Sequence, residues 1–322
     1  MQEIVKVSSG RDLIQSYANK KQARQIFGNF IFEGELCVLF GDSNAGKSIL
    51  ANEIAFFVSG GGHKWPNMVS PHISSLYIDM ELTSGQFARR YANAVKYIPE
   101  GYSRAEVTAN TTEDKWGYVK NKIIMMQGHG NAPKFIVIDN ITNGFGSIYS
   151  AKKMASFVMD MKTLKERYRL TILLIAHCPK RNKKKPIDQD ALGGSKMILN
   201  FVDSAFAINT SFQDDDIRYI KQVKVRECQK DKDVLTVQIK GEPYLSMWDL
   251  GKCSEETHID PKHTKVFYNF TPEEEIQLVN LLTRKNNGEK IYYSEIAQKT
   301  GVPYDIVVLY DIENFHLAKD KK

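Results

Sequence analysis

Residues 41–48, GDSNAGKS, match the spacing G-x-x-x-x-G-K-[ST] at every position, with a short apolar run before them and a helical pattern after. Glycines at the first and sixth positions permit a tight turn whose amide N–H groups converge on an anion. The helix opening there adds the partial positive charge of its N-terminus. Lys47 has the reach to touch terminal phosphates, and Ser48 offers a hydroxyl to Mg²⁺. The expected nucleotide-binding residues are therefore Gly41, Asp42, Ser43, Asn44, Ala45, Gly46, Lys47, Ser48 and Ile49.

Two acidic segments can complete such a site. IVIDN, residues 136–140, is an apolar strand ending in Asp139, the expected holder of the magnesium through water. Asn140 after it is a candidate to orient a water. LYIDMELTSG, residues 76–85, places Asp79 and Glu81 two apart, on one face of a strand. At a strand mouth next to the phosphate loop, Glu81 can orient or deprotonate an attacking water. The alternative is that it is a surface acid capping the helix that begins near Ser84.

These residues need a scaffold, and the hydrophobic pattern supplies one. Short apolar runs rich in β-branched residues predict strands over 35–40, 75–80, 135–138, 171–176 and 205–209, with helical patterns over 47–58, 84–97, 114–127 and 151–168 between them. Buried strands alternating with helices describe a parallel α/β sheet. Alternating segments 217–225 and 234–239, the latter continuing through 244–248, predict an antiparallel extension. Residues 251–264 read as a linker between a domain of residues 1–250 and a small helical module of residues 265–322.

Composition limits the functional classes. At 322 residues, with 42% hydrophobic and 25% charged side chains, the chain has the make-up of an ordinary globular protein. The net charge of +6 leans towards an anionic partner. Cys37, Cys178, Cys228 and Cys253 are far apart, which speaks against a zinc site or a disulfide framework. No apolar run reaches membrane-spanning length and the polar N-terminus is unlike a signal peptide, so a cytoplasmic protein is expected.

In motif order and spacing over roughly residues 15–250, the chain resembles the RecA-like P-loop ATPases, above all the hexameric replicative helicases of the plasmid RepA type and related mobile-element ATPases. GDSNAGKS resembles their Walker A motif, YIDMEL the strand bearing the catalytic glutamate, and IVIDN Walker B. LLIAH resembles the strand whose last residue senses the γ-phosphate, which implies that role for His177. YIKQVKVRE resembles the strand that reaches a neighbouring subunit's site, implying an arginine finger at Arg226 with Lys224 beside it. The resemblance further implies ATP and Mg²⁺ as cofactors, a homo-oligomeric ring, expected to be a hexamer, and single-stranded DNA in its channel.

HCPKRNKKKPIDQDALGGSK, residues 177–196, carries six basic side chains against two acidic ones. It departs from the mouth of the sensor strand, where open α/β sheets present ligand-binding loops. In the family the chain resembles, the loop after this strand lines the channel, which implies Lys180, Arg181, Lys183, Lys184, Lys185 and Lys196 as nucleic-acid contacts. With no aromatic residue among them, contact would be with phosphate. A solvated loop is the alternative. In the C-terminal module, YSEIAQKTGVPYDIVVLY resembles a helix-turn-helix. Asp305, Asp311 and Glu313 would repel a phosphate backbone, which favours a protein partner there.

Overall fold

Every residue of the strand leading into the phosphate loop is buried, because it lies at the centre of a nine-stranded sheet. The computed structural model describes residues 7–18, 23–62, 65–66, 68–107, 115–128, 130–141, 151–178, 186–259 and 270–316. Its strands are β1 (Gln25–Phe27), β2 (Ile31–Phe32), β3 (Leu36–Gly41), β4 (Ser75–Asp79), β5 (Tyr102–Glu106), β6 (Phe135–Asp139), β7 (Thr171–His177), β8 (Ser204–Thr210), β9 (Ile217–Lys224), β10 (Val234–Lys240) and β11 (Ser246–Cys253). The helices are α1 (Gly10–Ala18), α2 (Lys47–Val58), α3 (Ser84–Arg90), α4 (Lys115–Met126), α5 (Ala151–Tyr168), α6 (Lys196–Phe201), α7 (Pro272–Asn286), α8 (Tyr293–Thr300) and α9 (Tyr304–Asp311).

The sheet order is β11-β10-β9-β8-β3-β7-β6-β4-β5. The run from β8 to β5 is parallel, and β9, β10 and β11 add to β8 antiparallel. Period-two alternation divides β3 between two cores. Leu36, Val38 and Phe40 pack with α4, α5 and α6, whereas Cys37 and Leu39 pack with α2. The expected α/β sheet with an antiparallel extension is what the chain forms, and it is the architecture of a P-loop NTPase core. Among the described residues no helix is long and apolar enough to cross a membrane.

Some boundaries differ from the sequence reading. Residues 84–97 are α3 followed by a 3-10 turn at Ala92–Tyr97, and edge strand β5 was not anticipated. Residues 251–264 do not begin as a linker. β11 runs to Cys253, and a 3-10 turn at Glu255–His258 buries Thr257 and His258. A bulge opposite Thr236 and Val237, with Gly251 at φ +97°, leaves Leu250 exposed and breaks the alternation that would have marked the strand. The C-terminal helices α7–α9 enclose a small core of their own, with Leu278, Leu282, Ile296 and Val307 at its centre. Buried Asp311 ties that core together, accepting from Tyr293 Oη at 2.7 Å and Asn286 Nδ2 at 2.5 Å.

His258 secures the end of the extension. Its ring stacks on Tyr219 at 5.0 Å, Nδ1 lies 2.9 Å from Ser211 Oγ, and Nε2 lies 2.9 Å from Thr236 Oγ1. Burial pulls its pKa from 6.5 down to about 4. The unfolded chain therefore binds a proton between those values that the folded chain does not, and the contribution of His258 to stability falls as pH drops through that window. The expected loss is about 3 kcal/mol by pH 4. Asp139, shifted the other way, titrates in the same window, so the difference between urea melts of the parent and of His258→Gln, rather than the parent's own slope, should show it.

Candidate functional site

The loop after β3 is where the sheet opens, since β7 and β8 flank β3 and the chain turns directly into α2. Gly46 stands at the N-cap of α2 with φ +94° and no side-chain cap. The first amides of the helix are thus left to an incoming anion. Lys47 is buried and its Nζ donates to the carbonyls of Gly41 at 3.0 Å and Asp42 at 2.7 Å. Burial draws its pKa down, opposed by Cys178, Asp139, Glu81 and Asp42. The loop encloses a cavity of about 460 Å³ whose lining includes Ser43, Asn44, Lys47, Ser48, Glu81 and His177.

The acidic residues come from strands farther from the phosphate loop than the sequence suggests. β6 is separated from β3 by β7, and β4 by both β7 and β6, so neither strand adjoins the phosphate-loop strand. Asp139 nevertheless accepts a hydrogen bond from Ser48 and one from Tyr77 Oη at 2.5 Å. It is 3% exposed. Burial pushes its pKa up to about 6, against the two hydrogen bonds, with Glu81 and Asp79 adding to the rise. A hydroxyl beside a buried carboxylate at a phosphate loop suits a hard cation that takes its remaining ligands from phosphates and water. No cluster of three or more candidate metal ligands exists among the described residues, and such a cation does not need one.

Asp79 and Glu81 do not share a strand face, because β4 ends at Asp79. Asp79 is buried and shapes the loop that follows. Its Oδ1 accepts from the amides of Glu81 at 2.9 Å and Leu82 at 2.8 Å, and its Oδ2 from Arg104 Nη2 at 2.9 Å. The helix cap is Thr83, in a capping box with Gln86, so Glu81 has no capping role. Instead its Oε1 accepts from Asn140 Nδ2 and lies 3.1 Å from His177 Nε2, which is itself 2.7 Å from Asn140 Nδ2. The hydrogen bond with His177 holds the Glu81 carboxyl below its ordinary pKa. Three strand ends thus deliver three polar side chains to one point.

Other expected residues lie elsewhere. Lys224 ends β9, and its Nζ donates to the carbonyls of Leu199 at 2.6 Å and Val202 at 2.7 Å. Arg226 lies past the strand end rather than on its face, half exposed, 2.9 Å from Asp203. Ala205 pairs with Lys224 and Thr210 with Arg218, and Ile208 pairs with Gly41, so Lys224 and Arg226 are at the opposite end of the sheet from the phosphate loop. Lys180, Arg181, Lys183, Lys184 and Lys185 fall outside the described residues, and Lys196 begins α6. Sequence reasoning missed Arg90 and Leu245, which line the cavity, and the Arg104 clamp. No motif marks them: Arg90 ends α3, Arg104 lies on β5 and Leu245 precedes β11, and each meets the site only through the tertiary fold.

A P-loop nucleotide site on a mostly parallel α/β sheet defines the class as a P-loop NTPase. Residues 10–183, more than half the chain, match the model of the AAA domain family, and the chain belongs to that family of ATPases. No curated protein matches it.

Two substitutions test the construction. A Cβ on residue 41 would lie 2.2 Å from the main-chain oxygen of Ile208. Gly41→Ala should cost about 1–3 kcal/mol in a denaturant melt and perturb the loop. Arg104→Met leaves the Asp79 carboxylate buried without its cation, an expected loss of about 3–5 kcal/mol. Proteolysis within residues 80–84 should report the loosened loop.

Proposed function

We propose that this chain is a RecA-like, ring-forming ATPase motor of the replicative-helicase kind, acting on single-stranded DNA in the cytoplasm. The observation that carries the reading is the contact of His177 with Glu81. His177 is the last residue of β7, and the basic stretch follows it directly. A change at the γ-phosphate would reach that stretch through one side chain.

On this reading Lys47 and the loop amides bind the phosphates, and Glu81, held by Asn140, orients the attacking water and takes its proton. Magnesium, when bound, supplies charge stabilisation to the transferring phosphoryl group, with Ser48 and Asp139 the residues that would hold it. Arg226 of each subunit serves the next subunit's site, and its exposure suits it to that task. Lys224 would first have to release two carbonyls. Lys180, Arg181, Lys183, Lys184, Lys185 and Lys196 would meet the DNA phosphates in a sequence-independent, salt-sensitive way.

A second reading is favoured by a different surface. Ile276 and Val279 are exposed on α7, which suits a nucleotide-gated module that docks a protein through its C-terminal, helix-turn-helix-like helices without translocating. ATP turnover at low salt, with and without single-stranded DNA, separates the two. The motor reading expects stimulation by DNA that is lost when Lys183, Lys184 and Lys185 are all changed to Glu. Glu81→Gln should lower turnover by about 10²–10⁴ while nucleotide still binds. Turnover indifferent to DNA in both proteins would sink the motor and leave the docking module.

A further inference from the structure

The phosphate loop rests on more than the parallel strands. A Cβ on Gly46 would lie 2.6 Å from Met247 Cε and 3.3 Å from Ile239 Cδ1, and the oxygen that crowds Gly41 belongs to Ile208. Those residues lie on β11, β10 and β8, all beyond residue 183, where the family match ends. The charged member of this seat is Arg218 on β9, 8% exposed. It has the strand parity of Ile220, which packs in one cluster with Ala45 of the loop. Arg218 Nε donates to the carbonyl of Ala45 at 3.1 Å, and Nη1 donates to the carbonyls of Ile217, at 3.0 Å, and Asp215. A buried guanidinium that spends its donors on main-chain carbonyls fixes backbone rather than neutralising an acid.

The effect on the loop follows from peptide geometry. The Ala45–Gly46 bond is trans, so its C=O and N–H point in opposite directions. Holding the Ala45 carbonyl against β9 therefore directs the Gly46 N–H away from β9, and Gly46 lines the cavity. We propose that Arg218 is a positioning residue of the phosphate loop, which orients the Gly46 amide towards bound phosphate and couples the loop to the acidic β8–β9 turn at Asp214, Asp215 and Asp216. The proposal deepens the nucleotide-site reading and rests on it. Arg218 touches no phosphate itself; it acts through one peptide plane.

The test compares the full-length parent with Arg218→Gln, Arg218→Lys, Lys47→Ala and Ile220→Ala. Three quantities are read: affinity for a fluorescent ATP analogue, turnover at saturating ATP, and hydrogen exchange of the peptide spanning residues 41–49 in nucleotide-free protein. Arg218→Gln should weaken nucleotide binding by about tenfold or more, the size of a hydrogen bond to a charged group. Turnover at saturation should stay within about twofold, a split that marks lost binding rather than lost chemistry. Exchange over 41–49 should quicken, and Arg218→Lys should recover part of both losses. Should Arg218→Gln not fold, Arg218→Lys, which keeps the charge but not the fork, carries the test, with exchange and affinity lying between parent and Lys47→Ala. Unchanged affinity and exchange would overturn the proposal. So would losses that merely track the melting temperature as they do in Ile220→Ala, which shares the strand face without a bond to the loop. If the parent binds no nucleotide, or Lys47→Ala binds as well as the parent, the nucleotide-site reading fails instead, and exchange over 41–49 still decides whether Arg218 holds the loop.

Discussion

The carbonyl oxygen of Ile208 stands 2.2 Å from where a side-chain carbon on residue 41 would be. The loop can lie against the sheet only because that carbon is absent, and everything functional depends on how close it lies. From that position the first turn of α2 brings Ser48 to Asp139, and Lys47 is buried against the loop's own carbonyls. A loop standing even slightly farther off would leave Asp139 a buried carboxylate with one partner fewer, a costly arrangement in an apolar sheet.

Buried polar groups that support one another build the rest of the site. Tyr77 is fully buried, and its hydroxyl is spent on Asp139. Arg104 and Asp79 form a pair whose geometry sets the path of the Glu81 loop. Packing alone would not fix these directions. Side-chain networks are costly when half satisfied and rigid when complete, and here the network fixes Glu81 relative to the strands although Glu81 itself belongs to none.

Much of the scaffold was legible in the sequence. Strands such as ELCVLF and TILLIA are short, apolar and bounded, and the phosphate loop announces itself by glycine spacing. The antiparallel extension was legible as alternation until the bulge at Gly251 added a residue and broke the period. β5 was missed because an edge strand with Ser103, Arg104 and Glu106 buries too little to look like one. In the site, the sequence pointed to residues at motif positions and not to those that only the tertiary fold brings there. Arg90 on α3, Leu245 before β11 and Arg218 on β9 come from segments distant from the loop in sequence. Glu81 was singled out for its type, but strand periodicity misdescribed its direction, because the strand ends two residues earlier.

Glu81, Asn140 and His177 meet in a triangle of contacts that cannot all be hydrogen bonds at once. With a lone pair on His177 Nε2, the ring accepts from the Asn140 amide and faces the carboxylate of Glu81 without a proton between them. With a proton on that nitrogen, the ring donates to Glu81 and confronts an amide that also has only protons to offer. Turning the amide over would set its oxygen against the carboxylate instead. The corner is therefore frustrated, and the choice between its two hydrogen-bond inventories depends on which ring nitrogen carries hydrogen. A single imidazole tautomer, a difference of one proton moved across one five-membered ring, decides which edge of the triangle is left open.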